Sequence, residues 1–450
     1  NHPKPFIKLN DNESLIQKTY LRASAIAGVE EILTITNREL FFYTKDEYEK
    51  LAQTSIFNSF ILEPFGRNSA AAIALAVQYA KKKFPTACIL LILPADHLIQ
   101  NLDRFIEAVE QAKKLAAENY LVTFGINPDS PKTGYGYIEY NGHHVLRFVE
   151  KPNLETAKNY LDSGDYLWNS VMFCIYVDTI IEEMHQHCPD ILFQSEDCIA
   201  NAKISKAENL VQFEINANDF EKIQDISIDY AILEKSANVA VVPCDIGWSD
   251  IGSWIEFGQL HPADTNNNHI LGETVLEEVH DCIIHSKTRM VAGIGLKGLV
   301  IADTADAILV ADKNHLQDVR TVVNHLKMQE NDCYKLFPTI YRAWGNYTIL
   351  QSGSGFKVKR IEVKPSSSLS LQSHNHRSEH WVVVSGIAKI INDHQTITIK
   401  QSQSTYIPAG KKHKLENPGT DILIIIEVQC GDHIEEDDIV LYEDSHECKV

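Results

Sequence analysis

The chain has 450 residues, with 44% hydrophobic and 23% charged side chains and a formal net charge of −20 at pH 7. This length predicts two or three domains, and the apolar content excludes a largely disordered chain. The acidic excess argues against nucleic acid or an anionic membrane as a partner, because both are bound by basic surfaces.

Nine cysteines occur singly along the chain, in neither a paired Cys-x-x-Cys spacing nor an even framework. Reduced thiols in a cytoplasmic protein are the simplest interpretation. The longest apolar run, Cys88-Ile-Leu-Leu-Ile-Leu-Pro94, is too short to span a bilayer. It is predicted to be a buried strand.

Helical and strand patterns alternate over the first 140 residues. Such alternation predicts an α/β domain with a mostly parallel sheet covered on both faces. Substrates of these sheets bind at the carboxyl ends of the strands. The predicted helices cover residues 14–27, 68–77 and 102–117, and the predicted strands cover 32–36, 88–93 and 120–125.

Two aspartates stand at predicted strand ends. Asp96, in Pro94-Ala-Asp-His97, follows the strand 88–93, and Asp250 follows a strand over 239–244. Two such carboxylates hold Mg²⁺ through oxygen ligands if the fold brings them together, as nucleotide chemistry requires. The alternative for Asp96 is a turn residue or the N-cap of the next helix.

The middle of the chain carries no recognisable chemistry, and packing is its expected role. Residues 261–268 form a polar linker, and 276–310 hold short Val, Ile and Leu segments separated by Gly and Asp. Residues 311–328 are predicted as one amphipathic helix, followed by a second linker over 330–338.

The last part of the chain contains a group of candidate metal ligands. Gln372 and His374 point to one face of an extended strand, and a bend would bring Glu379 beside them. His413, from a later strand, would be a fourth ligand and would leave a position open for substrate. Imidazole, amide and carboxylate together suit Zn²⁺ or another divalent transition metal.

The spacing of these four residues matches both halves of the cupin signature, with Gln372 in the place of the first His. Ser366 and Ser402 stand where that signature usually has Gly, so both turns depart from the pattern. Two alternatives stay open. A His-x-His pair in a strand is often only exposed or hydrogen-bonded, and His376, which has the parity of His374, could join the ligand set in place of Gln372.

Short motifs run through the whole chain in a fixed order. In the front part they are Leu62-Glu-Pro-Phe-Gly-Arg-Asn68, Pro94-Ala-Asp-His97, Thr133-Gly-Tyr-Gly-Tyr-Ile-Glu139, Phe148-Val-Glu-Lys-Pro152, Leu167-Trp-Asn-Ser170, Ser227-Ile-Asp-Tyr230 and Gly247-Trp-Ser-Asp250. In the tail they are Tyr341-Arg-Ala-Trp-Gly345, the cupin stretch and Ile426-Glu-Val-Gln429. This series resembles that of the bacterial bifunctional mannose-1-phosphate guanylyltransferases with a type II phosphomannose isomerase half.

The resemblance implies a fold and a division of the chain. It implies a Rossmann-like, GT-A-like α/β nucleotidyltransferase domain over residues 1–260. A small β-rich linker module with a helix would follow over 261–330, and a C-terminal β-barrel cupin over 331–450.

The resemblance also implies residue roles. Asp96 and Asp250 would hold Mg²⁺ between nucleotide and sugar phosphate, and Lys151 would meet the sugar phosphate as a compact cation. Arg377 would stabilise negative charge in the isomerase half. Without the resemblance, Lys151 and Arg377 read as surface side chains and Asn169 as a turn residue. Sugar-binding positions would be Gly136, Glu150 and Asn169, and nucleotide-binding positions Lys4, Arg67 and Asn68.

The implied function is GDP-mannose synthesis. The front half would join GTP and mannose 1-phosphate into GDP-mannose with Mg²⁺, and the rear half would interconvert fructose 6-phosphate and mannose 6-phosphate with Zn²⁺ or another divalent metal. A homo-oligomer is expected.

This sequence departs from the family pattern in two places, and the first of them opens an alternative function. The family carries a Gly-rich loop with an Arg-Leu-Trp-Pro sequence before a Pro-Lys motif, and only Pro3-Lys4 is found in this sequence. Loss of that loop would leave an isomerase with an inactive transferase half. A non-catalytic sugar-nucleotide-binding subunit is a third reading. Val171 stands where the family usually has Gly, which would crowd the sugar pocket.

Overall fold

The computed structural model describes residues 3–51, 56–84, 88–207, 210–286, 289–304, 307–329 and 339–442. The predicted linker over 330–338 lies outside these residues. Within them, no helix combines the length and the apolar character needed to cross a membrane.

The front part of the chain folds into helices and two main sheets. Its helices are α1 Leu15–Ser24, α2 Arg38–Glu49, α3 Asn68–Lys83, α4 Leu102–Ala116, α5 Leu154–Ser163, α6 Val177–His187, α7 Pro189–Ala200, α8 Ala217–Phe220 and α9 Trp254–Gln259. Its strands are β1 Glu31–Asn37, β2 Phe57–Glu63, β3 Ile89–Ile92, β4 Leu98–Ile99, β5 Leu121–Ile126, β6 Gly136–Asn141, β7 His144–Glu150, β8 Tyr166–Tyr176, β9 Lys203–Ala207, β10 Leu210–Glu214, β11 Val239–Cys244 and β12 Trp248–Ser249.

The sequence patterns explain the main elements. Ser14 caps α1 in a capping box with Gln17. The alanine-rich α3 packs mainly against α7 and also contacts α6 and β1, and α4 packs on β5, β8 and β11 through an apolar stripe. All six elements predicted over residues 14–125 are present, as α1, α3, α4, β1, β3 and β5.

The prediction of a mostly parallel sheet is wrong for the six-stranded sheet, although β1, β2 and β10 of the four-stranded sheet are parallel. The four-stranded sheet β1-β2-β10-β9 has an antiparallel edge, and the six-stranded sheet β3-β8-β5-β11-β7-β6 is mixed. In the six-stranded sheet the long strand β8 runs antiparallel to all three strands with which it pairs, β3, β5 and β6. Buried apolar strands look alike in either direction, so composition alone could not reveal this reversal.

A small β-rich module follows. It contains β13 His269–Leu271, β14 Thr274–Glu277, β15 Ile283–Ser286, β16 Val291–Ile294, β17 Leu299–Asp303 and β18 Ile308–Asp312, with parallel pairing of β13 to β15, β14 to β16 and β15 to β17. The single helix predicted over 311–328 is partly wrong. A 3-10 turn at Lys313–Asp318 precedes the helix α10 Val319–Met328.

Two facing sheets make up the C-terminal domain. Its strands are β19 Thr339–Arg342, β20 Gly345–Gly353, β21 Phe356–Val363, β22 Gln372–His374, β23 Arg377–Ser385, β24 Ile387–Asn392, β25 Gln395–Lys400, β26 Ser404–Ile407, β27 His413–Glu416, β28 Leu423–Gly431 and β29 Ile439–Leu441. They form the sheets β19-β20-β21-β28-β23-β26 and β25-β24-β27-β22-β29 around one apolar core.

The two turns that lack the usual glycine keep its conformation. Ser366 has a φ of 55° and Ser402 a φ of 68°, both in the left-handed region. A side chain in this region costs free energy that glycine does not incur, so the rest of the domain must hold these turns in place.

Asn417 provides a first test of how the C-terminal domain is held together. Its buried amide donates to three backbone carbonyls and accepts from Gly419, so Asn417→Ala leaves several buried groups unpaired. We expect a loss of about 2–4 kcal/mol in unfolding free energy, measured by urea denaturation. Asn392→Ala, which removes a single bond to a carbonyl, should cost under about 1 kcal/mol. Equal losses for the two variants would contradict this account.

Candidate active sites

A two-stranded ribbon brings the two predicted aspartates to one place. β4 pairs antiparallel with β12, with Leu98 opposite Ser249. Continuing this register puts Asp250 opposite His97, the neighbour of Asp96. The ribbon therefore gathers two carboxylates from distant parts of the sequence at one end of the α/β domain.

Each of these aspartates already has a donor from another part of the front domain, and Asp250 also accepts from the backbone N–H of Gly252 at 3.1 Å. The ammonium of Lys4 lies 3.0 Å from Oδ2 of Asp96, and the hydroxyl of Tyr135 donates to Oδ1 of Asp250 at 2.7 Å. Burial lowers the pKa of His97 to about 4, and charges on Asp96, Lys4 and Asp250 also act on it. The carboxylate oxygens of Asp96 and Asp250 suit Mg²⁺, because this ion takes oxygen ligands.

A second group of side chains lies on the neighbouring strands. Gly136 is opposite Glu150, and a Cβ at Gly136 would lie 2.5 Å from Oε2 of that glutamate. The amide of Asn169 donates to Oδ1 of Asp229 at 2.8 Å. Burial raises the pKa of Glu150 and of Asp229. Their hydrogen-bonding groups match a ligand rich in hydroxyls, and Gly136 leaves room for it.

Tyr135 joins the two groups into one site. Its hydroxyl binds Asp250, its carbonyl accepts from the backbone N–H of Lys151 at 3.3 Å, and its ring contacts Trp168 edge-on. Trp168 precedes Asn169 on β8. A ligand that spans Asp250 and Asn169 would therefore run along Tyr135.

A β-bulge aims Asn169 into the site. Thr123 pairs with Phe173 and Gly125 with Asn169, so three residues of β8 face the one residue between them on β5. Val171, in the middle of this bulge, has a φ of 56°. Bulges of this kind redirect side chains beside active sites, and here a valine takes the left-handed conformation at a family glycine position.

The remaining predicted residues of the front half lie around this site in different ways. Lys151 is 66% exposed, with its ammonium 3.7 Å from Oε1 of Glu150. Arg67 is engaged elsewhere, because its guanidinium donates to the carbonyl of Glu221 at 2.8 Å. Asn68 begins α3 with a φ of 62°.

The predicted metal ligands converge in the C-terminal domain. His374, Glu379 and His413 are buried, and one ligand atom from each lies within 4.8 Å of the others. Gln372 is directly opposite His413 in the pairing of β22 with β27, so its side chain shares that face. The alternative that the His374-x-His376 pair is exposed is wrong for His374, which is buried and lies 3.1 Å from Glu379.

Two hydrogen-bond acceptors face each other inside this group. Nδ1 of His413 lies 3.0 Å from the carbonyl of Lys411, which only accepts, so this nitrogen carries the proton. Nε2 therefore carries a lone pair, and it lies 3.5 Å from Oε2 of Glu379. Burial lowers the pKa of His413, which keeps the ring neutral. A cation between these atoms removes the repulsion, so the residues fit a bound metal.

The structure decides between the alternatives for two neighbouring residues, His376 and Arg377. His376 is 61% exposed at its side chain and pairs with Asp438 at 2.8 Å, so it does not join the ligand set. β22 ends at His374, so the alternation of side chains between two faces does not continue as far as His376. Arg377 is 3% exposed, with Nε 3.5 Å from Oε1 of Glu379. The surface alternative for Arg377 is therefore wrong.

A buried pair of carboxylates behind the metal ligands was missed at the sequence level. Trp381 donates to both Glu379 and Glu427 at 3.1 Å, and Gln429 donates to both as well. Burial and the charge of Glu379 raise the pKa of Glu427 to about 8. The alternation of β28, in which Glu427 and Gln429 take inward positions after Leu423 and Ile425, was the signal that could have found them.

Two more acidic residues of the front half were also missed. Asp229 lies in the quoted motif Ser227-Ile-Asp-Tyr230 and begins a short π-helical turn, a feature that often marks functional sites. Glu63 ends β2, and burial raises its pKa to about 7. Within the described chain, Oε1 of Glu63 has no hydrogen-bond partner.

Family models match three consecutive parts of the chain. The model described as Nucleotidyl transferase matches residues 1–267, and the MannoseP isomerase/GMP-like beta-helix domain matches 272–326. The model described as Mannose-6-phosphate isomerase C-terminal matches 329–444. The predicted fold classes, an α/β nucleotidyltransferase, a β-rich module and a cupin barrel, are confirmed.

Curated relatives match nearly from end to end. A mannose-1-phosphate guanylyltransferase of Salmonella montevideo is 38% identical over 457 residues, which covers 99% of this chain and 95% of the relative. The alginate biosynthesis protein AlgA of Pseudomonas aeruginosa is 39% identical over 452 residues, covering 98% and 92%.

Two solved structures are similar to large parts of the chain. The first, titled mannose-1-phosphate geranyltransferase from Thermus thermophilus, has a TM-score of 0.62 at 30% identity and covers 72% of this chain and 92% of its own. The second, a mannose-6-phosphate isomerase from Helicobacter pylori, has a TM-score of 0.52 at 32% identity and covers 55% and 94%.

The strained bulge predicts an unusual order of stability among variants. Val171→Gly and Val171→Ala both remove the valine methyl groups, but only glycine relieves the left-handed conformation. We expect the glycine variant to be about 1 kcal/mol more stable than the alanine variant in urea unfolding. The same pair at Val122, a buried position of β5 whose φ is not positive, should show the opposite order. Matching orders at both positions would contradict the assignment.

Glu63 predicts a pH dependence of stability. Its pKa is about 7 in the folded chain against an ordinary value of 4.5, so the folded state holds the proton longer than the unfolded state. Stability therefore falls as pH rises from about 4.5 to about 7, by up to roughly 3 kcal/mol. Glu63→Gln removes this effect and should gain stability relative to the parent at pH 8 but not at pH 4. Denaturant unfolding at both pH values measures it, and a constant difference would contradict it.

Proposed function

The chain belongs to the bacterial mannose-1-phosphate guanylyltransferase family with a C-terminal mannose-6-phosphate isomerase domain, and from this membership we propose which residues carry its two reactions. It is a bifunctional enzyme of GDP-mannose synthesis. The observation that carries the residue assignment is the gathering of matched motif residues into two separate polar sites. We propose domain boundaries of 1–260, 261–330 and 331–450.

The transferase site is proposed to work by positioning charge. The phosphate oxygen of mannose 1-phosphate attacks the α-phosphorus of GTP, one P–O bond forms, and the bond to pyrophosphate breaks. Asp96 and Asp250 would hold Mg²⁺, which supplies charge neutralisation at the phosphate oxygens when bound. Lys4, whose ammonium lies 3.0 Å from Asp96, adds a positive charge at the same place. Lys151, exposed at the site, meets the sugar phosphate.

The sugar and the nucleotide are proposed to occupy the two ends of this site. Glu150 and Asn169 bind sugar hydroxyls, and Gly136 allows the sugar to approach the backbone, where a Cβ would collide with Glu150. Asp229 holds the amide of Asn169 in orientation. The nucleotide lies toward the start of α3, at Arg67 and Asn68, and Arg67 would have to leave its present carbonyl partner to reach it. GTP, mannose 1-phosphate and GDP-mannose are the ligands of this site.

The isomerase site is proposed to move a proton between C1 and C2 of fructose 6-phosphate and mannose 6-phosphate. Gln372, His374, Glu379 and His413 would hold Zn²⁺ or another divalent metal, which polarises the substrate carbonyl when bound. Arg377, whose Nε points at Glu379 without a hydrogen-bond partner in the described chain, stabilises negative charge on the substrate oxygens.

The two alternatives to this assignment are not favoured. The chain is similar over its full length to named guanylyltransferases. Neither an isomerase with an inactive front half nor a non-catalytic binding subunit accounts for this similarity. The front-half residues proposed for catalysis are also held together by β4, β12 and Tyr135.

Removing one metal-binding oxygen should silence only the transferase. Asp250→Asn keeps the shape but removes the negative charge, so GDP-mannose formation should fall by about 10²–10³ in kcat/KM. Isomerase activity of the same preparation should stay within about twofold of the parent. The matched control is Asp245→Asn, an exposed carboxylate paired with Arg104, which should leave both activities unchanged. Full transferase activity in the Asp250 variant would refute its role.

Removing one imidazole should silence only the isomerase. His413→Ala takes away a buried ligand, so bound metal measured by elemental analysis should fall sharply and isomerase activity by at least about 10². Guanylyl transfer should continue. His376→Ala, at the exposed neighbouring histidine, should retain the metal. Unchanged metal content and activity in the His413 variant would refute the metal assignment.

A further inference from the structure

Three stacked aromatic rings connect the C-terminal domain to the transferase domain. The ring of Tyr43, on α2, lies between Phe6 and Tyr341, with centroid distances of 3.8 Å and 3.9 Å and interplanar angles of 8° and 9°. Phe6 and Tyr43 are buried. Tyr341 belongs to β19, the edge strand of the C-terminal domain. The middle ring is thus covered on one face by each domain.

This stack is connected with Asp96, one of the two transferase aspartates, through Lys4 and Ala95. Phe6 ends the 3-10 turn Lys4–Phe6, and Lys4 at the start of that turn pairs with Asp96 at 3.0 Å. Ala95, the residue before Asp96, packs in the same apolar cluster as Phe6, Tyr43 and Tyr341. The cluster therefore holds both backbone segments that carry the ion pair.

Ion pairs fix the helix that bears the middle ring. Lys364 of the C-terminal domain pairs with Asp46 and lies 3.8 Å from Glu49, both on α2. On the opposite side, Glu47 accepts a hydrogen bond from Ser14 at 2.7 Å, which ties α2 to the start of α1. α2 is thus held between the two domains near its C-terminal end.

We propose that Tyr341 is a positioning residue for guanylyl transfer, acting through Tyr43 and Phe6 on Lys4; this inference rests on the proposed role of Lys4 beside Asp96. A three-residue 3-10 turn has little stability of its own, so its geometry is set by what packs against Phe6. Without the ring of Tyr341, Tyr43 and Phe6 are no longer held in place. The ammonium of Lys4 can then move away from the place where phosphate charge develops. Preorganised charge is effective only while it stays in place.

A double-mutant cycle on the full chain tests this coupling. Tyr341→Ala, Lys4→Ala and the double variant are assayed for GDP-mannose formation and for isomerisation on the same preparations. Tyr341→Ala should lower the transferase kcat/KM by about tenfold, while isomerase activity stays within about twofold and shows that the domain is folded. Tyr341→Phe, which keeps the ring, should restore the parent transferase activity. In the Lys4→Ala background, adding Tyr341→Ala should cost nothing further.

The outcomes separate the coupling from the proposed function. If Lys4→Ala impairs transfer and Tyr341→Ala does not, the coupling is overturned and the role of Lys4 stands. Independent losses that multiply in the double variant also overturn the coupling. If Lys4→Ala leaves transfer intact, the role of Lys4 and the coupling are both overturned. Tyr406→Ala, at a half-exposed ring of β26 in the same domain, is the matched control and should leave both activities unchanged.

Discussion

Both sites of this protein depend on the same constraint, which is that side chains able to accept hydrogen bonds are gathered from separate parts of the sequence. In the C-terminal domain the lone pair of His413 faces a carboxylate oxygen of Glu379 in a buried space. In the front domain a short ribbon gathers Asp96 and Asp250 in a chain that is already strongly acidic. The neutral donors Tyr135 and Trp381 hold Asp250 and Glu379 in place without adding charge, whereas Asp96 pairs with the ammonium of Lys4. A cation is the partner that such arrangements favour.

Periodicity in the sequence predicted which elements exist and which positions in the cupin stretch lie together. The ligand positions Gln372, His374, Glu379 and His413 followed from alternation and spacing, and the structure brings His374 and His413, on one sheet, together with Glu379 on the facing sheet. The same alternation suggested His376, because nothing in the sequence marks the end of β22 at His374. Strand direction was equally invisible, since the apolar residues of β8 pack alike whichever way the strand runs.

Residues that act through other residues were harder to find. Asp229 holds Asn169 by a hydrogen bond, and Glu427 lies behind Glu379 and shares its donors. Each is recognisable once its partner's position is known, which requires tertiary structure. Val171, Ser366 and Ser402 show a related limit. The sequence indicates that glycine is missing at these positions, but only the backbone shows that the left-handed conformation is kept without it.

The order of strands around the metal site has a consequence for how the protein is made. β22, which carries Gln372 and His374, pairs on one side with β27 and on the other with β29, among the last residues described. Domains fold largely as units while the ribosome proceeds from the N-terminus. The transferase domain therefore has time to fold before the isomerase site has received its final strand. A ribosome that stalls shortly before Ile439 would leave a chain able to complete its front half and unable to close its rear one.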